Sequence, residues 1–229
     1  MKSVYRPIEQ AIGYRFRKKE HLRLALTHPS YRYEHADIPG DNQRLEYLGD
    51  AALSLVCAEH LFKTDSEARE GKMSKLRSRL TEDRKLAQIA KKIDLGAYLL
   101  LGRGEEKNGG AQRASNLADA LEALIGAAWI DGGIRAVKKI FNRIFLPELE
   151  AMQAAPGQAN PKGNLQEYAQ SHGLQIPTYT LLNTEGPEHD RTFTLQVEVA
   201  EKKWDASASS KREAERQAAA KALKELLQE

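Results

Sequence analysis

Two acid pairs, set in otherwise apolar stretches, are the residues in this chain best suited to chemistry. Between Arg44 and Glu59 the run LEYLGDAALSLVCA carries only two charges, Glu46 and Asp50. Residues four apart share one face of a helix, so these carboxylates project together. A helix apolar around its circumference is expected to be buried. Buried ionised carboxylates are costly unless they are paired or hold a cation. A second run, LADALEALIGAAWI at 117–130, again carries two charges, Asp119 and Glu122, three apart on one helical face. Gly126 follows one turn on, and Leu117, Leu121, Leu124 and Ala128 form the opposite, core-facing stripe. Neither run contains Lys, Arg or His. If the two helices meet, their four acids call for a hard divalent cation with oxygen ligands, Mg²⁺ or Mn²⁺.

The elements that must position these acids are read next. Residues 5–12 and 19–27 pattern as short helices, and 27–30 is a break because Pro29 disfavours helix in the residue before it. The polar stretch 31–41 ends in Pro-Gly and reads as a loop into the first acidic helix, at about 43–62. A long charged helix is expected over 67–92. Lys72, Lys75, Arg77 and Arg79 give it a basic side, most simply a solvated one. The glycine-rich stretch 101–113 lacks the Gly-Lys-Ser/Thr of a phosphate-cradling loop. Ser115 is the expected N-cap of the second acidic helix, which Asp131-Gly132-Gly133 ends before another amphipathic helix at 134–144.

Small residues, two prolines and a glycine without periodicity at 151–161 mark a linker. Beyond it the pattern changes. A short helix (164–172) is followed by strands at 178–183, 193–200 and 204–207, with a turn at 185–190. Ser209 or Ser210 caps a last helix, 211–227, with Ala214, Ala218, Ala222 and Leu226 inward. The expected architecture is α+β: an all-α unit at 1–152, a linker at 153–160 and an α-β-β-β-α unit at 161–229.

Composition narrows the function classes. A chain of 229 residues suits one or two domains. No apolar run reaches transmembrane length and no apolar leader opens the chain, so no membrane association is expected. The single cysteine, Cys57, excludes an intrachain disulfide and suits a reducing cytoplasm. His21, His28, His35, His60 and His172 show no metal-ligand spacing with one another or with Cys57, which argues against zinc. Net charge is +3, divided unevenly: 1–159 holds 26 Lys and Arg against 21 Asp and Glu, and 160–229 holds 9 against 11. Polyanion binding by the C-terminal part therefore needs a local patch.

The stretch NQRLEYLGD at 42–50 resembles the signature of ribonuclease III, the endonuclease of double-stranded RNA. EGKMSKLRS, LGRGEEKNGG and LADALEALIGAAWIDGG are similar to other blocks of that family in the same order, and the C-terminal unit resembles its double-stranded-RNA-binding domain. The resemblance implies a helical, homodimeric nuclease domain with the signature helix near the interface. It also implies Mg²⁺-dependent hydrolysis leaving 5′-phosphates and 3′-hydroxyls with short 3′ overhangs, and processing of ribosomal and messenger precursor RNA. Glu46, Asp50, Asp119 and Glu122 fall on the family's catalytic acids. Asp50 and Glu122 are expected to be most critical for rate, while Glu46 and Asp119 mainly place metal.

For RNA contact the resemblance points to Gln43 and Glu70 near the cleavage site, and to Gln166, Glu167, Gln170 and His189 at the minor groove. Lys211 and Arg212, at the start of the last helix, would meet phosphates. Two departures stand out. Gln43 occupies a position where many members have glutamate, and Ala206 and Ala208 stand where glycines are common. Two rival readings remain open: a non-catalytic RNA-binding protein on a degenerate nuclease scaffold, and a DNA-directed metal nuclease.

Overall fold

The computed structural model describes residues 4–154, 160–187 and 191–227. It divides into two compact units, 1–152 and 153–229.

The first unit is helical: α1 (Arg6–Ile12), α2 (Lys19–Ala25), α3 (Pro29–Glu34), α4 (Gln43–Thr64), α5 (Glu70–Leu80), α6 (Asp83–Lys92), α7 (Arg103–Lys107), α8 (Ala114–Ile140) and α9 (Leu146–Ala154). Its centre is the pair α4 and α8, which run in the same direction, Glu46 beside Asp119 and Glu122 at one end and Glu59 beside Lys138 at the other, and pack unusually close. A Cβ on Gly49 would lie 1.7 Å from the Glu122 carbonyl oxygen, and one on Gly126 would lie 2.1 Å from that of Leu45. Only glycine at both positions lets the backbones touch. The stripe Leu117, Leu121, Leu124 and Ala128 is fully buried, as its spacing predicts.

Several elements differ from the sequence expectation for physical reasons. The charged stretch forms two helices, α5 and α6, because Glu82 turns extended (φ −69°, ψ 142°). The break lets Leu76 and Leu80 pack with α4 while Leu86, Ala87, Ile89 and Ala90 face α8. No straight helix could serve both neighbours. Helix α2 has already ended at Ala25; Pro29 keeps His28 extended and starts α3, whose cap is His28: Nδ1 accepts the Ser30 N–H at 3.1 Å. The 31–41 stretch is thus partly helical, and the glycine-rich 101–113 stretch contains α7 and a 3₁₀ turn. Helix α8 begins after Arg113 without a side-chain cap, so Ser115 is not the N-cap. Gly133 (φ 63°, ψ −161°) breaks the helical run where the sequence expects the second acidic helix to end, so α8 is two helical segments meeting at a kink, in a conformation that favours glycine. A π-helical turn at Phe141–Phe145 then leads into α9.

Helix α4 is not buried all round. Leu45, Leu53, Val56, Cys57 and Leu61 enter the core, but Tyr47, Leu55 and Phe62 are 84%, 52% and 72% exposed. At 100° per residue these three fall within one sector of about 80°, a continuous apolar stripe on the surface.

The second unit runs α10 (Pro161–Ser171), β1 (Thr178–Glu185), β2 (Thr192–Val199), β3 (Lys202–Ala208) and α11 (Lys211–Leu226). The strands form an antiparallel sheet in the order β1-β2-β3. Val197, Val199 and Trp204 from the sheet meet Leu165 and Ala169 of α10 and the alanine face of α11. Trp204 closes this core by donating its indole N–H to Glu225 at 2.7 Å. Ser210 caps α11, accepting the Glu213 N–H at 3.3 Å.

Candidate active site

The glycine contacts between α4 and α8 bring the two acid pairs to one place. Glu46, Asp119 and Glu122 each offer a carboxylate oxygen within 4.8 Å of the others, and all three are half-buried. Asp50, the fourth expected member, falls outside this group. It is exposed at the rim, one helical turn beyond Glu46, and is the strongest charged neighbour of Glu122. The cluster of four foreseen in the sequence is therefore three acids plus one at the edge.

Electrostatics shows how unfavourable this grouping is by itself. Burial first, then the charges of Asp50, Glu46, Asp119 and Asp83, pushes Glu122 up to about 8. Glu46 is raised by burial and by Asp119 and Asp83. Asp119 is raised by burial and Asp83, with His28 acting in the opposite direction. Among the described residues none of the three clustered side chains forms an ion pair. An all-oxygen donor set, crowded, desolvated and without a basic partner, fits a hard divalent cation.

Two contributors escaped sequence reading. Asp83, the first residue of α6, raises all three clustered acids. Its run TEDRK resembles any helix start, and only the break before α6 brings it near. His28, which acts on Asp119, is fixed locally: Thr27 bridges Leu100, the Asn42 N–H donates to the Thr27 carbonyl at 2.9 Å, and Ser30 Oγ lies 2.8 Å from His28 Nδ1.

The other expected site residues are dispersed. Gln43 is exposed at the first position of α4, its N–H bonded to Asp41 at 3.2 Å. Glu70 opens α5 away from the clustered acids; its carboxylate accepts the Ser74 hydroxyl at 2.6 Å and lines a groove with Leu55, Phe62 and Met73. Gln166, Glu167 and Gln170 lie exposed on α10, opposite its buried Leu165 and Ala169. Lys211 and Arg212 are exposed in the first turn of α11, with the Lys211 ammonium 5.9 Å from the Phe193 ring centre. His189 lies outside the described residues.

Comparison with known proteins agrees with this arrangement. Residues 18–149 match the family described as Ribonuclease-III-like, and 161–226 match the double-stranded RNA binding motif. Ribonuclease 3 of Pseudomonas fluorescens is 42% identical over 218 residues, covering 94% of this chain and 93% of its relative. Ribonuclease 3 of Magnetococcus marinus is 39% identical over 232 residues, 96% and 92% of the two chains. The crystal structure of the ribonuclease III nuclease domain from Campylobacter jejuni, 40% identical, superposes with a TM-score of 0.58 over 65% of this chain and 97% of that one. A second structure of that domain, at TM-score 0.57, 40% identity and coverage of 62% and 99%, is described as showing flexibility in a region involved in dimer formation.

Proposed function

Because the chain belongs to the ribonuclease III family and is thus an endoribonuclease, we propose that it hydrolyses double-stranded RNA with Mg²⁺, or Mn²⁺ in its place. The products would be 5′-phosphates and 3′-hydroxyls with short 3′ overhangs, in the processing of ribosomal and messenger precursor RNA. The observation that carries this reading is the convergence of Glu46, Asp119 and Glu122, without a basic partner, in a chain that also has a double-stranded RNA binding motif.

The acids have distinct parts in this reading. Glu46, Asp119 and Glu122 would hold the metal through their carboxylate oxygens, and Asp50 stands at the rim beside Glu122. With its pKa near 8, the Glu122 carboxyl carries a proton at neutral pH in the metal-free chain. Metal uptake must expel that proton, so affinity rises with pH. The bound metal would lower the pKa of an attacking water and stabilise charge on the phosphoryl group. Asp50 and Glu122 are the most rate-critical pair, because the first borders solvent and the second is the most strongly perturbed.

The RNA-binding assignments extend this reading. Gln166, Glu167, Gln170 and His189 would meet 2′-hydroxyls and shape in the minor groove, Lys211 and Arg212 phosphates, and Gln43 and Glu70 the strand near the cut. The protein would act as a homodimer, each subunit cutting one strand, with the stripe Tyr47, Leu55 and Phe62 as the face to be covered. Among the described residues no helix is long and apolar enough to cross a membrane, and buried, unpaired Cys57 suits a reducing cytoplasm.

Cleavage of a long RNA duplex by wild type and Asp50→Ala, in Mg²⁺, Ca²⁺ or EDTA, tests the proposal. Cutting in Mg²⁺ alone, lost in the variant while RNA binding persists, supports it. Tight binding without cutting by wild type in Mg²⁺ or Mn²⁺ would replace it with a non-catalytic RNA-binding scaffold.

A further inference from the structure

A second charged feature of the nuclease unit lies at the other end of α8. A cleft of about 540 Å³ opens where the loop after α1 meets the kink of α8, lined by Tyr14, Arg17, Gly133, Arg135 and Lys139 among others. The segments that build it, 13–19 and 132–143, contain eight Lys and Arg and no Asp or Glu. Two of those cations are engaged, Lys19 with Glu9 and Lys138 with Glu59. Arg17, Arg135 and Lys139 are exposed, and among the described residues none of them forms an ion pair.

The acid bordering this cleft does not neutralise it. Asp131 accepts the Tyr14 hydroxyl at 2.7 Å, the Arg17 N–H at 2.9 Å and the Lys18 N–H at 2.9 Å. Its oxygens are thus spent on fixing the loop, and the guanidinium of Arg17 is left free. Gly133 adds open backbone, since a Cβ there would meet nothing within 4 Å.

We propose that this cleft binds backbone phosphates of duplex RNA outside the acidic centre; the proposal rests on the reading of duplex RNA as substrate. Guanidinium and ammonium groups around an open concavity match phosphate oxygens. Gly133 is eleven residues from Glu122 on α8, about 16 Å of helical rise. A phosphate held here is therefore not the one being cut. The cations are solvated and come from two separate segments, with no buried donor to strip a small ion of its water. Such a site is weak for a free anion and effective for a polyanion that is also held elsewhere.

The test uses the full chain with Arg135→Gln/Lys139→Gln, and Arg135→Glu/Lys139→Glu as a stronger variant. Both substitutions fall on exposed side chains, and circular dichroism checks folding. Binding of a long RNA duplex is measured by anisotropy in Ca²⁺ over a salt series, and cleavage in Mg²⁺. We expect affinity to fall about tenfold at low salt and the log–log salt slope to shrink by about 2, near 0.9 per lost phosphate contact. The cleavage defect should fall on KM rather than kcat. Unchanged affinity and slope in both variants would overturn the inference while leaving the substrate reading intact. Wild type that binds no duplex would instead overturn the substrate reading, and the inference with it. If inorganic phosphate raises the melting temperature of wild type but not of the variants, while RNA binding is equal, the cleft serves a small anion and the proposal fails.

Discussion

The acidic centre and the helices of the C-terminal unit proposed to meet RNA solve opposite problems. Glu46, Asp119 and Glu122 are pressed together, half-buried and mutually repelling. Gln166, Gln170, Lys211 and Arg212 stand apart in solvent on the rims of a small core. Holding a metal requires desolvated like charges and a backbone that forces them together. Holding a duplex requires only placed donors and charge, each contributing modestly. The first region should therefore be brittle and strongly pH-dependent, and the second tolerant and salt-dependent.

Gly49→Ala should break the comparison most severely. The new methyl would lie 1.7 Å from the Glu122 carbonyl oxygen, a backbone atom that cannot swing aside. Separating α4 from α8 costs about 3 kcal/mol, roughly 6–12 °C in melting temperature for a chain of this size, and disperses the acids. Urea denaturation and duplex cleavage should both show the loss. Retained cleavage at wild-type rate would mean that close backbone contact does not assemble the centre.

Next in size is Glu122→Gln, in which activity and stability should part company. Cleavage in Mg²⁺ should drop by at least about 10²-fold, the scale for removing one preorganised electrostatic group. Without metal the variant should be the more stable protein at neutral pH and above, because folding no longer has to protonate this carboxylate or, at higher pH, bury its charge. A variant that is both inactive and less stable by metal-free thermal melting would count against a site strained for metal.

Wild type should show the same strain as a pH effect. Glu122 is near 8 when folded, against an ordinary value of 4.5. Between these values the unfolded chain has released the proton that the folded chain keeps, so folding stability without metal falls as pH rises through that window. Glu46 and Asp119, also raised, push in the same direction. Melting in EDTA from acid to mildly alkaline pH should slope downward, flatten in Glu122→Gln, and recover in wild type when Mg²⁺ is added. A flat EDTA profile in wild type would remove the electrostatic basis of the metal assignment.

The parts of this centre that were legible in sequence are those set by local spacing. Asp119 and Glu122 had to share a face because they are three apart on a helix, and the leucines opposite had to be core. What could not be read depends on how helices cross. Glu46 reaches the cluster and Asp50 stays at its rim because Gly49 and Gly126 fix the register of α4 on α8. Asp83 joins electrostatically because α6 turns away from α5 at Glu82. Tyr47, Leu55 and Phe62 defeat the inference from apolarity to burial, since an apolar helix can also present a face to solvent. In the C-terminal unit, local alternation and capping placed the strands and α11 closely, but β1 runs on to Glu185, into the stretch expected to turn.

The smallest expected effect lies in that unit, in Lys211→Ala with Arg212→Ala. Residues 160–229 carry two more acids than bases, and Glu213 and Glu215 stand close to the proposed phosphate contacts. The structure engages both acids: Glu213 pairs with Arg216 at 2.7 Å and accepts from Gln217 at 3.0 Å, and Glu215 pairs with Lys162 at 2.5 Å. Neither acid is thus paired with Lys211 or Arg212, which stand exposed at a helix start that Ser210 already caps, as the proposed phosphate contacts require. Removing both should weaken duplex binding by the full chain several-fold at low salt, shrink the salt slope by about 2, and leave the melting temperature nearly unchanged because both side chains are exposed. Anisotropy across a salt series measures the first two and calorimetry the third. A loss of affinity that does not depend on salt would show that these residues shape α11 rather than meet phosphate, and the contrast with the acidic centre would then have to rest on α10 alone.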